Sequence, residues 1–313
     1  MKIAAFNVQR LGWSKVNKKD VRNIIIKIMS QYSVVLLVEV TDKTGGDAMG
    51  LLRQHLNEYG DNRSNPYRKL CSKPLGPEGR QEKFVYFYRK KEVEIIRCYQ
   101  YVGKDEDVIT RQPFIVRLNC QNTVVQDLVL IPVHTKPKNA EAELNALHDV
   151  VEVVRKIWNN DNIMILGDFN ADGPYLSKKK KTLRILSAPY HWLIGDDVDT
   201  TTTNTKKSTY DRIVVYGESM LEAIVPNSAK AYNFKRELNL KDKQSVSNHY
   251  PVEVELEVKP EVEQMEEEMR KLELKQKAQR KRNPEKPSTG GRPQVSGAQK
   301  KKAGPADTKG KGV

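Results

Sequence analysis

Residues 34–40 read Val-Val-Leu-Leu-Val-Glu-Val. A run this short, β-branched and almost unbroken in its apolarity makes a strand buried on both faces. A chain that contains one must cover its sheet from two sides. Further strands are expected at 2–7, 84–88, 93–101, 113–118, 128–133, 163–166, 212–215 and 252–258. The 84–88 and 93–101 strands are expected to pair around the turn-like Lys90-Lys91. Helices are expected at 21–29, with Asp20 as N-cap, and at 48–56. A longer one is expected at 140–158, where Leu144, Leu147, Val150, Val151, Val154 and Ile157 recur at helical spacing. Strands alternate with helices early and follow one another in the middle. That order suits an α/β (α+β) sandwich of two packed sheets with helices outside, filling residues 1–258. Residues 259–282 read as a charged helix with its acidic residues first, which suits the helix dipole. Residues 283–313 are rich in Pro, Gly, Lys and Ser and are expected to be disordered.

Charge separates these parts. The whole chain carries a formal +14. Residues 270–313 hold 14 Lys+Arg against 3 acidic groups, leaving 40 basic and 37 acidic groups in residues 1–269. A basic tail binds polyanions by releasing counterions, without reading sequence. An anionic membrane would attract it in the same way. No stretch approaches the roughly 20 apolar residues that span a bilayer. The N-terminus shows no signal-peptide pattern and the three cysteines make no disulfide framework. An intracellular protein, nuclear or cytoplasmic, is therefore expected, with secretion left open should the N-terminus be incomplete.

Chemistry-bearing residues stand at the ends of these strands: Asn7, Glu39, His134, Asp168 with Asn170, Asp211 and His249. Each has an ordinary reading, such as a capped turn for Asp168 and Asn170 or a structural imidazole for His134. Their number at strand termini points further, because strand ends of a two-sheet fold converge on one edge. Two histidines, several carboxylates and two asparagines suit metal-assisted phosphoryl transfer.

The motifs Lys2-Ile3-Ala4-Ala5-Phe6-Asn7-Val8-Gln9, Glu39, Pro74-Leu75-Gly76, Ile131-Pro132-Val133-His134, Gly167-Asp168-Phe169-Asn170-Ala171, Tyr210-Asp211-Arg212-Ile213-Val214-Val215 and His249-Tyr250-Pro251-Val252-Glu253 resemble the deoxyribonuclease I family in order and spacing. That family belongs to the endonuclease/exonuclease/phosphatase fold group, and the basic tail is similar to that of gamma-type deoxyribonucleases. The resemblance implies a four-layer sandwich of two mixed sheets flanked by helices. It implies an endonuclease, a hydrolase cleaving DNA with Mg²⁺ or Mn²⁺ and Ca²⁺ and leaving 5′-phosphate and 3′-hydroxyl ends. It implies two catalytic pairs, Glu82 with His134 and Asp211 with His249, their acid and base roles open. Asn7, Glu39, Asp168, Asn170 and Asn248 would bind metal or phosphate. Arg111, Tyr175, Arg80 and Tyr210 would contact DNA. Asp199, Thr201, Thr203 and Thr205 would hold a structural calcium. A monomer is expected, and the resemblance leaves actin binding open.

The chain also departs from the family. Asn248 replaces an aspartate, which removes a charge beside His249. Thr41 replaces an arginine, and Arg80 replaces a groove-reading tyrosine. Gly173 or Pro174 and Lys207 or Ser208 stand where the family has a cysteine bridge near the site. In a second calcium region Asp105 and Asp107 remain, but Gln112 replaces an acid. Lys178–Lys181 form a basic run that suits either phosphate contact or a solvated helix start. Two other readings stay open: a weakened nuclease-fold protein that binds nucleic acid or a protein partner, and a phosphodiesterase acting on lipid or small phosphates.

Overall fold

The computed structural model describes residues 1–42, 47–103, 108–173, 176, 182–203, 207–240 and 246–282. In chain order the elements are β1 (Lys2–Leu11), α1 (Trp13–Val16), α2 (Lys19–Met29), β2 (Val34–Val40), α3 (Ala48–Glu58), β3 (Tyr67–Cys71), β4 (Lys83–Arg89), β5 (Val93–Gln100), β6 (Phe114–Cys120), β7 (Asp127–His134), α4 (Ala140–Trp158), β8 (Ile163–Asp168), β9 (Tyr190–Trp192), β10 (Asp211–Tyr216), α5 (Glu218–Glu222), β11 (Lys230–Ala231), α6 (Phe234–Glu237), β12 (Val252–Glu255) and α7 (Glu261–Arg282). The chain divides into two units, Met1–Glu261 and Val262–Val313.

The first unit holds two six-stranded mixed sheets, ordered β11-β12-β1-β2-β4-β3 and β5-β6-β7-β8-β10-β9. Strand alternation explains why they stack. Ile3, Ala5, Val34, Leu36, Phe84 and Tyr86 of the first sheet share one apolar cluster with Leu128, Leu130, Met164, Leu166, Ile213 and Val215 of the second. The intervening residues point away. Ala4, Phe6, Val35 and Leu37 pack under α2 and α3. Val129, Ile131, Ile163, Ile165 and Val214 pack under α4. Every central strand is thus buried on both faces, and the result is the four-layer sandwich expected. All three cysteines are free thiols. Among the described residues no helix is long and apolar enough to cross a membrane.

Several expectations are corrected. β4 and β5 do not pair. β4 has β2 on one side and β3 on the other, so both its edges are filled, and β5 crosses to pair with β6 at the rim of the second sheet. Asp20 lies inside the first turn of α2, with Lys18 as the capping position. Ile157 is 50% exposed, and Trp158 takes its place in the core. β3, β9 and β11 were not foreseen, because each is short or carries too little alternation to signal itself.

Candidate active site

Register builds the site. His134 and Asp168 are directly opposed across parallel β7 and β8, and Asp211 opposes Asp168 across antiparallel β10. The three form one row. By alternation each continues the inner face of its strand: Leu130 leads to His134, Leu166 to Asp168, and Ile213 back to Asp211. Glu82 similarly extends the inner pair Phe84 and Tyr86, and Asn7 extends Ile3 and Ala5. Where apolar packing stops, the gap between the sheets becomes a polar edge. Gly167 permits the close β7–β8 approach beneath this row. At its φ of 138° a Cβ would stand 2.1 Å from Val133 O.

Glu39 does not obey alternation. Counted from Leu37 it would face the outer layer. Its φ is +61°, and the β2–β4 register shifts between Leu37 and Val40. A left-handed, bulged strand end re-aims a side chain at the expense of local strain. Here it brings Glu39 within 3.8 Å of His134 Nε2. Gln9 and Arg10 on neighbouring β1 are left-handed too, with φ of 47° and 57°. Lys15 Nζ donates to Val8 O (2.7 Å) and Gln9 O (2.9 Å) across this bend, and the Arg10 N–H donates to Glu39 Oε2 (3.0 Å). Burial pulls the Lys15 amine down to about 8.

Two histidine–carboxylate dyads face each other. His134 Nδ1 bonds Glu82 Oε1, and Arg111 Nε lies 2.5 Å from the same oxygen. Arg111 Nη1 also donates to His134 O at 3.4 Å. His249 Nδ1 bonds Asp211 Oδ2 at 2.7 Å. Both Nε2 atoms turn toward Asp168 Oδ2, at 3.7 Å from His134 and 3.9 Å from His249. Asp168 is itself held by Asn7 Nδ2, donating to Oδ2 at 3.0 Å, and by the Asn170 N–H, donating to Oδ1 at 3.0 Å. Asn170 has a φ of +46°, so it folds back instead of continuing the strand, and its amide donates to Thr135 O.

The electrostatics follow from crowded, buried carboxylates. Burial, reinforced by Asp168, pushes Asp211 up to about 6 against the pull of His249. Burial alone would lower His249, but Asp211 and Asp168 raise it to about 9. His134 is raised likewise, with Glu82 and Asp168 overcoming burial and the smaller opposing charge of Arg111. Oxygens and ring nitrogens gather in two sets able to hold a metal ion, Glu39 with Glu82 and His134, and Asp168 with Asp211 and His249. Hard carboxylate oxygens at a buried edge fit an oxygen-seeking cation such as Mg²⁺.

The other expected residues fall at varying distances from this centre. Tyr210 stands beside His249, with ring centroids 6.2 Å apart. Arg80 is exposed on the loop between the bridged Leu75 and Glu82. Asn248 is exposed, with its N–H bonded to Gln9 Oε1 at 3.1 Å. Thr41 accompanies Gly12, where a Cβ would meet its hydroxyl oxygen at 3.2 Å. In the expected calcium loop Asp199 Oδ1 accepts from the Thr201 N–H (3.0 Å) and hydroxyl (2.9 Å), and Thr203 donates to Thr201 at 3.4 Å. Tyr175, Thr205, Asp105, Asp107, Pro174, Lys178–Lys181 and residues 283–313 lie outside the described residues.

Sequence reading missed several supporting groups. Ser247 Oγ donates to Asn7 O (2.6 Å) and accepts from the His249 N–H (3.1 Å), tying the segment that leads into β12 to β1 of the same sheet. Buried Glu143 accepts from the Thr110 hydroxyl (2.8 Å) and the Lys136 N–H (3.1 Å), joining the segments that follow His134 and precede Arg111. A glutamate beside the apolar stripe of α4 was the available signal for that residue. Lys15 offered none.

The profile described as "Endonuclease/Exonuclease/phosphatase family" matches residues 4–230. Deoxyribonuclease-1-like 1 of Homo sapiens is 39% identical over 259 residues, covering 82% of this chain and 84% of that protein. Deoxyribonuclease-1 of Oryctolagus cuniculus is 37% identical over 264 residues, covering 82% of this chain and 92% of that one. Among solved structures, an endonuclease/exonuclease/phosphatase from Bacteroides vulgatus superposes with a TM-score of 0.56 at 15% identity, over 82% of this chain and 98% of that one. That likeness is one of fold.

Proposed function

The chain belongs to the endonuclease/exonuclease/phosphatase family, and from that premise we propose that it is a metal-dependent endonuclease hydrolysing DNA to 5′-phosphate and 3′-hydroxyl ends. Nuclease or phosphodiesterase chemistry goes with the family and its deoxyribonuclease relatives. The observation that carries the finer reading is the pair of dyads whose free Nε2 atoms both turn to Asp168.

Each carboxylate fixes its histidine through Nδ1 and leaves Nε2 as the working atom. One Nε2 takes a proton from water as that water attacks phosphorus. The other gives a proton to the departing 3′ oxygen. Two separate imidazoles, each with its own anchor, let both transfers occur without either ring turning. Glu39 and Asp168, with Asn170 and Asn7 beside them, would hold Mg²⁺ or Mn²⁺. Bound there, the cation would neutralise charge on the nonbridging phosphate oxygens. Asp199, Thr201, Thr203 and Thr205 would take Ca²⁺ as a structural ion. Arg111, Arg80, Tyr210 and Tyr175 would meet the DNA, with Arg111 also steadying Glu82. The basic tail would add sequence-independent affinity for DNA and other polyanions.

Plasmid nicking tests the proposal directly. With Mg²⁺ and Ca²⁺ the supercoiled form should open, and chelation should stop it. The 5′ ends of the product should accept kinase label only after phosphatase treatment. Absence of nicking at every divalent concentration would reject the enzyme and favour the binding-only reading that Asn248 and Thr41 motivate. Removing residues 283–313 should flatten the salt dependence of DNA binding while sparing hydrolysis of short substrates. An unchanged slope removes the tail from the account.

A further inference from the structure

The helix α7 is 22 residues long, and nearly all of its described side chains are exposed. Its apolar residues Val262, Met265, Met269 and Leu272 are 53–68% exposed. They step along the chain by three, four and three positions. That is the a/d spacing of a coiled coil, which places all four on one stripe. Gln276 and Gln279 continue the same steps. Leu274 lies off the stripe. Two charge pairs flank it, Glu266 with Arg270 at 3.3 Å and Glu267 with Lys271 at 3.9 Å, each four residues apart. Such pairs support a solvated helix but do not cover its apolar side. Charge is also sorted lengthwise: residues 261–268 hold five glutamates and no basic residue, and residues 270–282 hold seven basic residues and one glutamate.

We propose that α7 binds α7 of a second copy of this chain as a short antiparallel coiled coil. Two features of the sequence select that occupant and that orientation. In antiparallel packing an a position faces a d position. The register that sets Met269 against the partner's Leu272 also sets Met265 against the partner's Gln276 and Val262 against the partner's Gln279. All six positions thus meet in one alignment, apolar at the centre and amide-capped toward the ends. The charges decide direction. Parallel helices would lay five glutamates beside five glutamates and the basic halves beside each other. Antiparallel helices lay the acidic half on the basic half, with Glu273 the one acidic residue in the latter, and oppose their dipoles. Glutamine at the outer layers keeps the association weak, concentration-dependent and sensitive to salt. The monomer expected from sequence is replaced by a reversible dimer, and none of this depends on the reaction the first unit performs.

Sedimentation equilibrium of the full chain, from low to high micromolar concentration, tests the idea. At low salt the average mass should rise from monomer toward dimer, and added salt should reverse the rise. Met269→Lys with Leu272→Lys should weaken dimerisation by ~10-fold or more, since each places charge at the central layer. Both residues are exposed on a helix, so the variant should keep the thermal transition and the DNA nicking of the parent. Orientation is read from disulfide trapping in a Cys98→Ser background. Chains carrying Met265→Cys should cross-link to chains carrying Gln276→Cys, and not to themselves. A monomer at every concentration overturns the proposal, as does a dimer that the double lysine variant leaves intact. Self-cross-linking of Met265→Cys, or a dimer that salt strengthens, overturns the antiparallel arrangement.

Discussion

Each histidine–carboxylate dyad spans the two sheets, but the two span them in opposite senses. In one, Glu82 comes from the first sheet and His134 from the second. In the other, Asp211 comes from the second sheet, and His249 from the segment leading into β12 of the first. Neither dyad exists unless the sheets are packed in register, so assembly of the core and assembly of the site are one event. Their surroundings differ. Glu82 is gripped by the Arg111 guanidinium at 2.5 Å as well as by its histidine. Asp211 is governed mainly by burial and by Asp168, which push it up to about 6. One dyad is thus pinned by a neighbouring cation, and the other by depth. Removing that cation should reach the first dyad and spare the second.

The harshest test removes either imidazole. His134→Ala and His249→Ala should each lower the single-turnover nicking rate by about 10²- to 10⁴-fold, the range for a positioned acid or base. The double variant should fall well short of the product of the two losses, because the groups act in one step. Full activity in either single variant would remove that residue from the mechanism and break the symmetry of the two dyads.

A milder change should separate them. Arg111→Met removes the cation beside Glu82 and should slow nicking by about 10- to 100-fold, in line with losing a charge-assisted contact worth about 1.5–3 kcal/mol. Arg111 also holds the His134 pKa down. Its loss should therefore move the limb of the pH–rate profile set by His134 to higher pH, while the limb set by His249 stays. A parallel shift of both limbs would mean that the dyads share one electrostatic environment.

The strand-end positions were legible because apolar alternation runs without interruption into His134, Asp168 and Asp211, so the inner face could be counted outward. The pairing of β4 with β5 was misread for the complementary reason. Adjacency in sequence carries no information on whether a strand's edges are already filled. Glu39 shows a deeper limit. Its direction depends on its own left-handed backbone and on the Arg10 N–H, which comes from the β1 bend that Lys15 spans, a contact between segments that no spacing rule connects. Asn170 was expected to follow Asp168 by strand alternation. It reaches its place instead by leaving the strand at a φ of +46°.

Stability of the metal-free protein offers a finer comparison. His249 is raised from its ordinary 6.5 to about 9 in the folded protein. A histidine whose pKa rises on folding stabilises fully below its unfolded pKa, and that contribution is lost as pH climbs through the folded value. With chelator present, thermal stability should therefore fall between about pH 6.5 and 9. His249→Gln should flatten the curve in that window, and Arg111→Met should leave the His249 contribution in place. Because His134 is raised too, part of the fall should remain; a fall undiminished by His249→Gln would assign the proton to another group.

Thr200→Val should have the smallest effect and bears on the second dyad alone. The buried Thr200 hydroxyl accepts from the Tyr210 N–H at 3.0 Å and the Asp211 N–H at 3.2 Å. Valine keeps the shape and strands both donors, which should lower stability by about 1–3 kcal/mol, measurable by urea unfolding. Thr200 also helps hold the Asp211 carboxyl down. Its loss should let Asp211 rise further and weaken its hold on the His249 proton. The rate should change only a few-fold, with the shift confined to the His249 limb of the pH profile. If the His134 limb moved instead, depth would not be what distinguishes the two dyads, and Asp168, which both imidazoles face, would have to carry the coupling between them.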